Sequence, residues 1–112
     1  MRGAFVRLDP MKRKLKALVR PEGVGPEVFF ALWVAEGVYE EMGATAIVIT
    51  SLTDGRHLRG STHYCGKGID LRIWTLDVDK RKPAAELIQH RLGAAYFVKL
   101  ESDHLHIQYN GL

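Results

Sequence analysis

Two short segments alternate apolar and polar residues with a period of two. In "GIDLRIW" at 68–74, Ile69, Leu71 and Ile73 hold one parity and Asp70 and Arg72 the other. In "HLHIQY" at 104–109, Leu105, Ile107 and Tyr109 alternate with His104, His106 and Gln108. Successive side chains of a strand point to opposite sides of its sheet, so each segment predicts a strand with one face in the core. If the two strands are neighbours, Asp70 and His106 project from the same sheet face, the one the apolar residues leave.

The remaining segments surround such a sheet with helices. "GPEVFFALWVAEGVYEEMG" at 25–43 predicts a helix: Pro26 suits the first helical position, Glu27 the positive end of the dipole, and Gly43 the stop. Phe29, Leu32, Trp33, Glu36 and Val38 to Tyr39 trace its broad apolar face, with Trp33 and Phe30 read as packing residues rather than a ligand wall. "ATAIVITSL" at 44–52 is short and rich in β-branched residues, the mark of a buried strand. "DKRKPAAELIQHRLG" at 79–93 predicts a second helix with Asp77 or Asp79 as cap and Gly93 as stop, and His90 near its C-terminus faces the dipole or water. "AAYFVKLESDHLHIQYNG" at 94–111 predicts two strands joined by a tight turn near Ser102 and Asp103. The expected fold class is α+β: one antiparallel sheet with helices packed on one face and the polar cluster on the other.

A chain of 112 residues makes one domain, 1–112, and its 46% hydrophobic and 26% charged residues are ordinary for a globular core. No run approaches the ~18–20 apolar residues of a membrane span, so no membrane insertion is expected. "MRGAFVRLDPMKRKLK" has no apolar stretch after its basic residues, which excludes a secretory signal from the expectation and leaves the chain cytoplasmic as synthesised. The basic run "MKRKLKALVRPEG" at 11–23 reads as a short solvated amphipathic segment rather than a polyanion patch. A net charge of +3 and a pI near 9.2 are too small and diffuse to establish a nucleic-acid partner, and none is expected. The one cysteine, Cys65, excludes an intramolecular disulfide and any multi-cysteine zinc cage. A metal site here would have to use histidine and carboxylate.

Four of the five histidines, His57, His63, His104 and His106, fall in two polar clusters, "HLRGSTHYCGKGID" at 57–70 and "ESDHLH" at 101–106. His63 lies seven residues before Asp70, and glycines at 66 and 68 let the chain turn back between them. His63, Asp70 and His106 together would make a three-ligand tetrahedral site with an open fourth position for water, the catalytic rather than the structural arrangement for zinc. A hydrolase also needs a carboxylate that is not a ligand, to take a proton from the bound water. Asp103, three residues before His106, is the first candidate and Glu101, paired with His104, the second. A spacing of three on a regular strand puts side chains on opposite faces, so a turn or bulge at Ser102–Asp103 has to swing the base round.

The run Ser61-Thr-His63-Tyr-Cys-Gly66-Lys-Gly-Ile-Asp70, followed by "DHLH" at 103–106, resembles the zinc-dependent peptidoglycan peptidases. These are the D-alanyl-D-alanine carboxypeptidases and dipeptidases and the phage L-alanyl-D-glutamate endopeptidases, whose fold is shared with the hedgehog signalling domain. The resemblance covers about half the chain, from "VITSLTDG" through the terminal hairpin. It implies that His63, Asp70 and His106 bind zinc and that Asp103 is the general base, with Glu101 competing because the family often carries glutamate in "ExxH". It implies a basic residue upstream for a substrate carboxylate or the oxyanion, here Arg56 with His57 or Arg59 as substitutes. Ser61 would support the site through hydrogen bonding, His104 would position water or donate to substrate, and Cys65 is absent from the ligand pattern. Where the family usually has alanine, this chain has Gly68.

What the resemblance implies is a monomeric zinc metallopeptidase acting on peptidoglycan stem or cross-link peptide. A released or virion-associated phage lysin fits the missing signal, as does a cytoplasmic recycling dipeptidase. The reading from another class is a non-catalytic zinc-binding recognition or structural module of the same fold.

Overall fold

The computed structural model of the chain describes residues 12–15, 25–54 and 67–111. In chain order they form β1 (Lys12–Leu15), α1 (Pro26–Glu41), β2 (Ala46–Asp54), β3 (Lys67–Arg72), α2 (Val78–Leu92), β4 (Tyr96–Leu100) and β5 (His104–Tyr109). The strands make one five-stranded sheet in the order β1-β2-β3-β5-β4. This is a small α+β domain.

The sheet is mixed rather than wholly antiparallel. β1 runs parallel to β2, with Lys12 opposite Ala46 and Leu15 opposite Ile49, while every other pairing is antiparallel. Charge made the Lys12–Leu15 stretch read as a solvated segment, and all four of its residues are indeed exposed. Exposure does not decide the backbone state, however: a short lysine-rich strand is a common way to close a sheet edge without inviting further pairing. Arg13 also pairs with Glu36, which ties this edge to α1.

Pro26 opens α1 at its first turn, and Gly43, at φ 91°, ends it in the left-handed region where glycine is at ease. The buried stripe of α1 is Val28, Ala31, Leu32, Ala35, Val38 and Tyr39, spaced three and four apart. Trp33 and Phe29, expected on the apolar face, instead stand 66% and 46% exposed. Small residues at 31 and 35 let the helix approach the sheet closely, so the large rings take the flank. In α2, Asp77 is the capping position and Gly93 the stop, at φ 84°. Gln89 fastens the end of α2 to β4: its amide donates to the carbonyls of Gly93 and Tyr96, and its oxygen accepts from the Val98 N–H at 2.9 Å.

Both helices cover the sheet face that carries Ile47, Ile49, Ile69, Leu71, Leu105 and Ile107, all in one buried core. The other face is left to the even-numbered residues of β3 and β5. One irregularity in β2 keeps these faces pure. Ile49 pairs with Leu71 but Ser51 pairs with Asp70, so Thr50 is an extra residue in the ladder. The bulge resets the parity, and Leu52 therefore packs against the core along with Ile47 and Ile49. Thr50 donates its hydroxyl to the Asp70 carbonyl at 3.3 Å. On the core side, the buried Tyr39 hydroxyl donates to the Arg72 carbonyl at 2.9 Å, holding the end of β3.

No described helix is long and apolar enough to cross a membrane.

Candidate functional site

β3 and β5 are neighbours, and their register sets Gly68 opposite Gln108, Asp70 opposite His106, and Arg72 opposite His104. Because Leu71, Leu105 and Ile107 must enter the core, these alternate residues are forced onto the open face. There the Asp70 Oδ1 and His106 Nδ1 atoms lie 2.7 Å apart, with roughly a quarter of each side chain exposed (26% and 29%). His104, two residues earlier on β5, brings its Nε2 to 3.9 Å from the same Asp70 oxygen.

The hairpin supplies the next group. Glu101 N–H donates to the His104 carbonyl at 2.8 Å and closes the β4–β5 turn over Ser102 and Asp103. The turn carries Asp103 out of strand alternation and back onto the open face, where its Oδ1 meets His104 Nδ1 at 2.6 Å. That hydrogen bond, first of all, holds the Asp103 carboxyl below the usual carboxylate range. The same bond raises the His104 imidazole, with smaller help from the charges of Asp70, Asp103 and Glu101 and against a cost of burial. The pair therefore favours a carboxylate on Asp103 and an imidazolium on His104.

On its far side His106 meets Gln108. The His106 Nε2 lies 3.2 Å from Gln108 Oε1, and Gln108 Nε2 donates to Asn110 Oδ1 at 2.8 Å. Gly68 leaves room for the ring: a Cβ added there would stand 3.4 Å from His106 Cε1. At the other end of the cluster, the Arg72 guanidinium stacks on the Trp74 ring at 4.9 Å.

Of the expected metal ligands, the structure brings Asp70 and His106 together. His63, the third, lies outside the described residues, as do Arg56, His57, Arg59, Ser61 and Cys65. Among the described residues no group of three His, Cys, Asp or Glu side chains forms a metal cage. Both expected bases sit at the hairpin, with Asp103 hydrogen-bonded into the cluster. Gln108 and Asn110 were not singled out from the sequence, although Gln108 shares the parity of His106.

The Asp70–His106 contact fits a metal on chemical grounds. A carboxylate oxygen and an imidazole nitrogen converge within hydrogen-bond distance on an accessible face, the donor types of catalytic zinc. His106 also has an oxygen acceptor behind its second nitrogen, as metal-bound histidines do. The chain matches no family model, no curated protein and no solved structure.

Proposed function

We propose that the chain is a zinc-dependent peptidase of bacterial cell-wall peptide, with a hedgehog/DD-peptidase type of fold. The observation that carries this reading is the meeting of Asp70 and His106 on the open face, beside the Asp103–His104 pair. Those four residues come from the two motifs that resemble the zinc peptidoglycan peptidases, and the sheet register unites the motifs' described parts. In this reading His63, Asp70 and His106 hold the metal. Bound there, zinc would supply a Lewis acid for the scissile carbonyl and a water of lowered pKa.

The chain's own groups handle the proton and the charge. Asp103 stays ionised at neutral pH because His104 holds its carboxyl low. With Oδ1 engaged by His104, its Oδ2 is the atom that takes the water's proton and returns it to the leaving amine. Glu101, at the mouth of the same hairpin, is the competing base. His104, raised toward its imidazolium form by Asp103, presents Nε2 on the Asp70 side and can donate there to a developing oxyanion. Arg56 is the proposed partner of a substrate carboxylate. A monomer acting as a released or virion-associated lysin is part of the same proposal.

The test is digestion of purified peptidoglycan with the full chain. New amino termini should appear, vanish on chelation, return with zinc, and be absent with Asp103→Ala. Zinc retained at one equivalent, with no wall chemotype cleaved, would replace the peptidase by a non-catalytic zinc-binding module.

A further inference from the structure

We infer that the groove beside Trp33, between α1 and α2, binds a neutral sugar ring and anchors the glycan strand of the wall polymer whose stem peptide the open face would cut. The anchoring half rests on the peptidase reading, and the sugar site rests on the groove alone. The groove has a volume of about 400 Å³, within the ~300–1,000 Å³ of ligand pockets. Trp33, Glu36, Gly37 and Glu40 line it at helical spacings of three, four and seven, Val34 adds an apolar wall, and Arg91 of α2 closes the other side.

Gly37 is the residue the fold does not account for. Glycine inside a helix weakens it relative to alanine. Gly37 is not among the glycines of positive φ, so its backbone does not require glycine. No close packing requires it either, since a Cβ added there would meet nothing within 4 Å among the described residues. Its missing side chain does one visible thing, which is to keep the groove open one helical turn from the Trp33 ring.

The lining selects the occupant. Trp33 is 66% exposed, and the Phe30 ring lies 6.0 Å from it, so the indole is an accessible aromatic platform. An apolar partner would cover that ring but would also strip water from Glu36, Glu40 and Arg91 without replacing it. An ion finds little unmatched charge, because Arg91 is paired with Glu41 at 2.7 Å and Glu36 with Arg13. A sugar satisfies both parts of the groove. Its C–H face stacks on the indole, its hydroxyls donate to carboxylate oxygens, and the guanidinium N–H groups not used by Glu41 donate to hydroxyl oxygens. Both helices lie on the core face of the sheet, so the groove and the Asp70–His106 face are on opposite sides of it. A glycan held here is therefore an anchor and does not touch the reacting bond.

The test uses the full chain with two probes, chitotetraose and glycan strands freed of peptide by an amidase. In ¹⁵N–¹H spectra the Trp33 indole and Gly37 amide signals should shift with both. Trp33→Ala should weaken chitotetraose binding, read by calorimetry, about ten-fold or more, as expected for a lost aromatic platform. Gly37→Leu should weaken it as much while melting at or above wild type, because leucine is the better helix former and its Cβ meets no neighbour. Because chitotetraose is uncharged, 1 M salt should leave its affinity within about two-fold. The sugar site is overturned if chitotetraose does not bind, if Gly37→Leu binds it as wild type does, or if gel filtration shows a dimer that Gly37→Leu dissociates. Chitotetraose bound without the wall strands overturns the anchor. Neither probe carries a stem peptide, and both should bind equally well after chelation, so loss of the peptidase reading leaves these results standing. With an active enzyme, Trp33→Ala should raise KM for intact wall and leave cleavage of a soluble stem peptide unchanged. An equal loss on both substrates would overturn the anchor.

Discussion

Asp70 on β3 and His106 on β5 stand directly opposite one another, and their Oδ1 and Nδ1 atoms are 2.7 Å apart on the face away from the helices. His104 shares that face but reaches only 3.9 Å from the same oxygen, and its other nitrogen is engaged by Asp103. The two histidines should therefore behave differently. Asp70→Ala and His106→Ala should each lose bound zinc after gel filtration, a greater loss than the 10- to 100-fold typical of a supporting residue. His104→Ala should keep one equivalent. Metal analysis of the three purified variants checks this, and zinc lost from His104→Ala but kept by His106→Ala would reverse the assignment.

The hairpin separates the two candidate bases by geometry. Asp103 is carried onto the open face and bonded to His104, whereas Glu101 contributes its backbone N–H to the turn. Asp103→Ala should lower kcat for a wall peptide by about 10²- to 10⁴-fold, the usual contribution of a positioned acid–base group, with zinc content unchanged. Glu101→Ala should cost less than ten-fold. Rates for the two variants at equal zinc loading decide between them, and the reverse order would make Glu101 the base.

Much of this site is legible as strand parity. The alternation around Asp70 and His106 predicts which face each leaves, and the turn at Ser102–Asp103 predicts how an acid could rejoin that face. Parity does not reveal register. Sliding β5 by two residues would preserve every inward and outward position while moving His106 by about 7 Å along the sheet, because a strand rises ~3.3 Å per residue. Long-range pairing settles that choice, and no local pattern contains it. The bulge at Thr50 is invisible for the same reason, since "ATAIVITSL" is apolar on both parities and shows no phase change. β1 is hidden by its charge, and the outward turn of Trp33 depends on how closely Ala31 and Ala35 let α1 approach the sheet.

Gly68 offers a test of how tightly the ring is held. An added Cβ would lie 3.4 Å from both His106 Cε1 and the Ile107 carbonyl oxygen, an ordinary contact, and Gly68 is not among the glycines of positive φ. Gly68→Ala should therefore fold, gain about 0.4–1 kcal/mol from the stiffer unfolded chain, and bind zinc within a few-fold of wild type. Gly68→Val adds two methyls where one fits and should push the ring from Asp70. Its zinc affinity should fall while its melting temperature changes little. Equal zinc affinity in the alanine and valine variants would mean that Gly68 leaves the ring unconstrained.

Glu27 gives the acid side of the stability profile. It accepts from Lys67 at 3.1 Å, linking the first turn of α1 to the first residue of β3. Its own backbone amide first, and then the Lys67 ammonium, holds its carboxyl below the ordinary glutamate value near 4.5. A carboxyl whose folded pKa is depressed binds fewer protons in the folded chain than in the unfolded one. Its contribution is thus present in full above the unfolded value and disappears as pH falls through the lower folded value. Glu27→Gln should melt slightly below wild type at pH 7, and the gap should close as pH drops below the ordinary glutamate value of about 4.5. Because the pair is solvent-accessible, 1 M salt should narrow the gap at pH 7 as well. Thermal melts of the two proteins across that pH range check the sign, and a gap that widens on acidification would refute the assignment of the charged form to the fold.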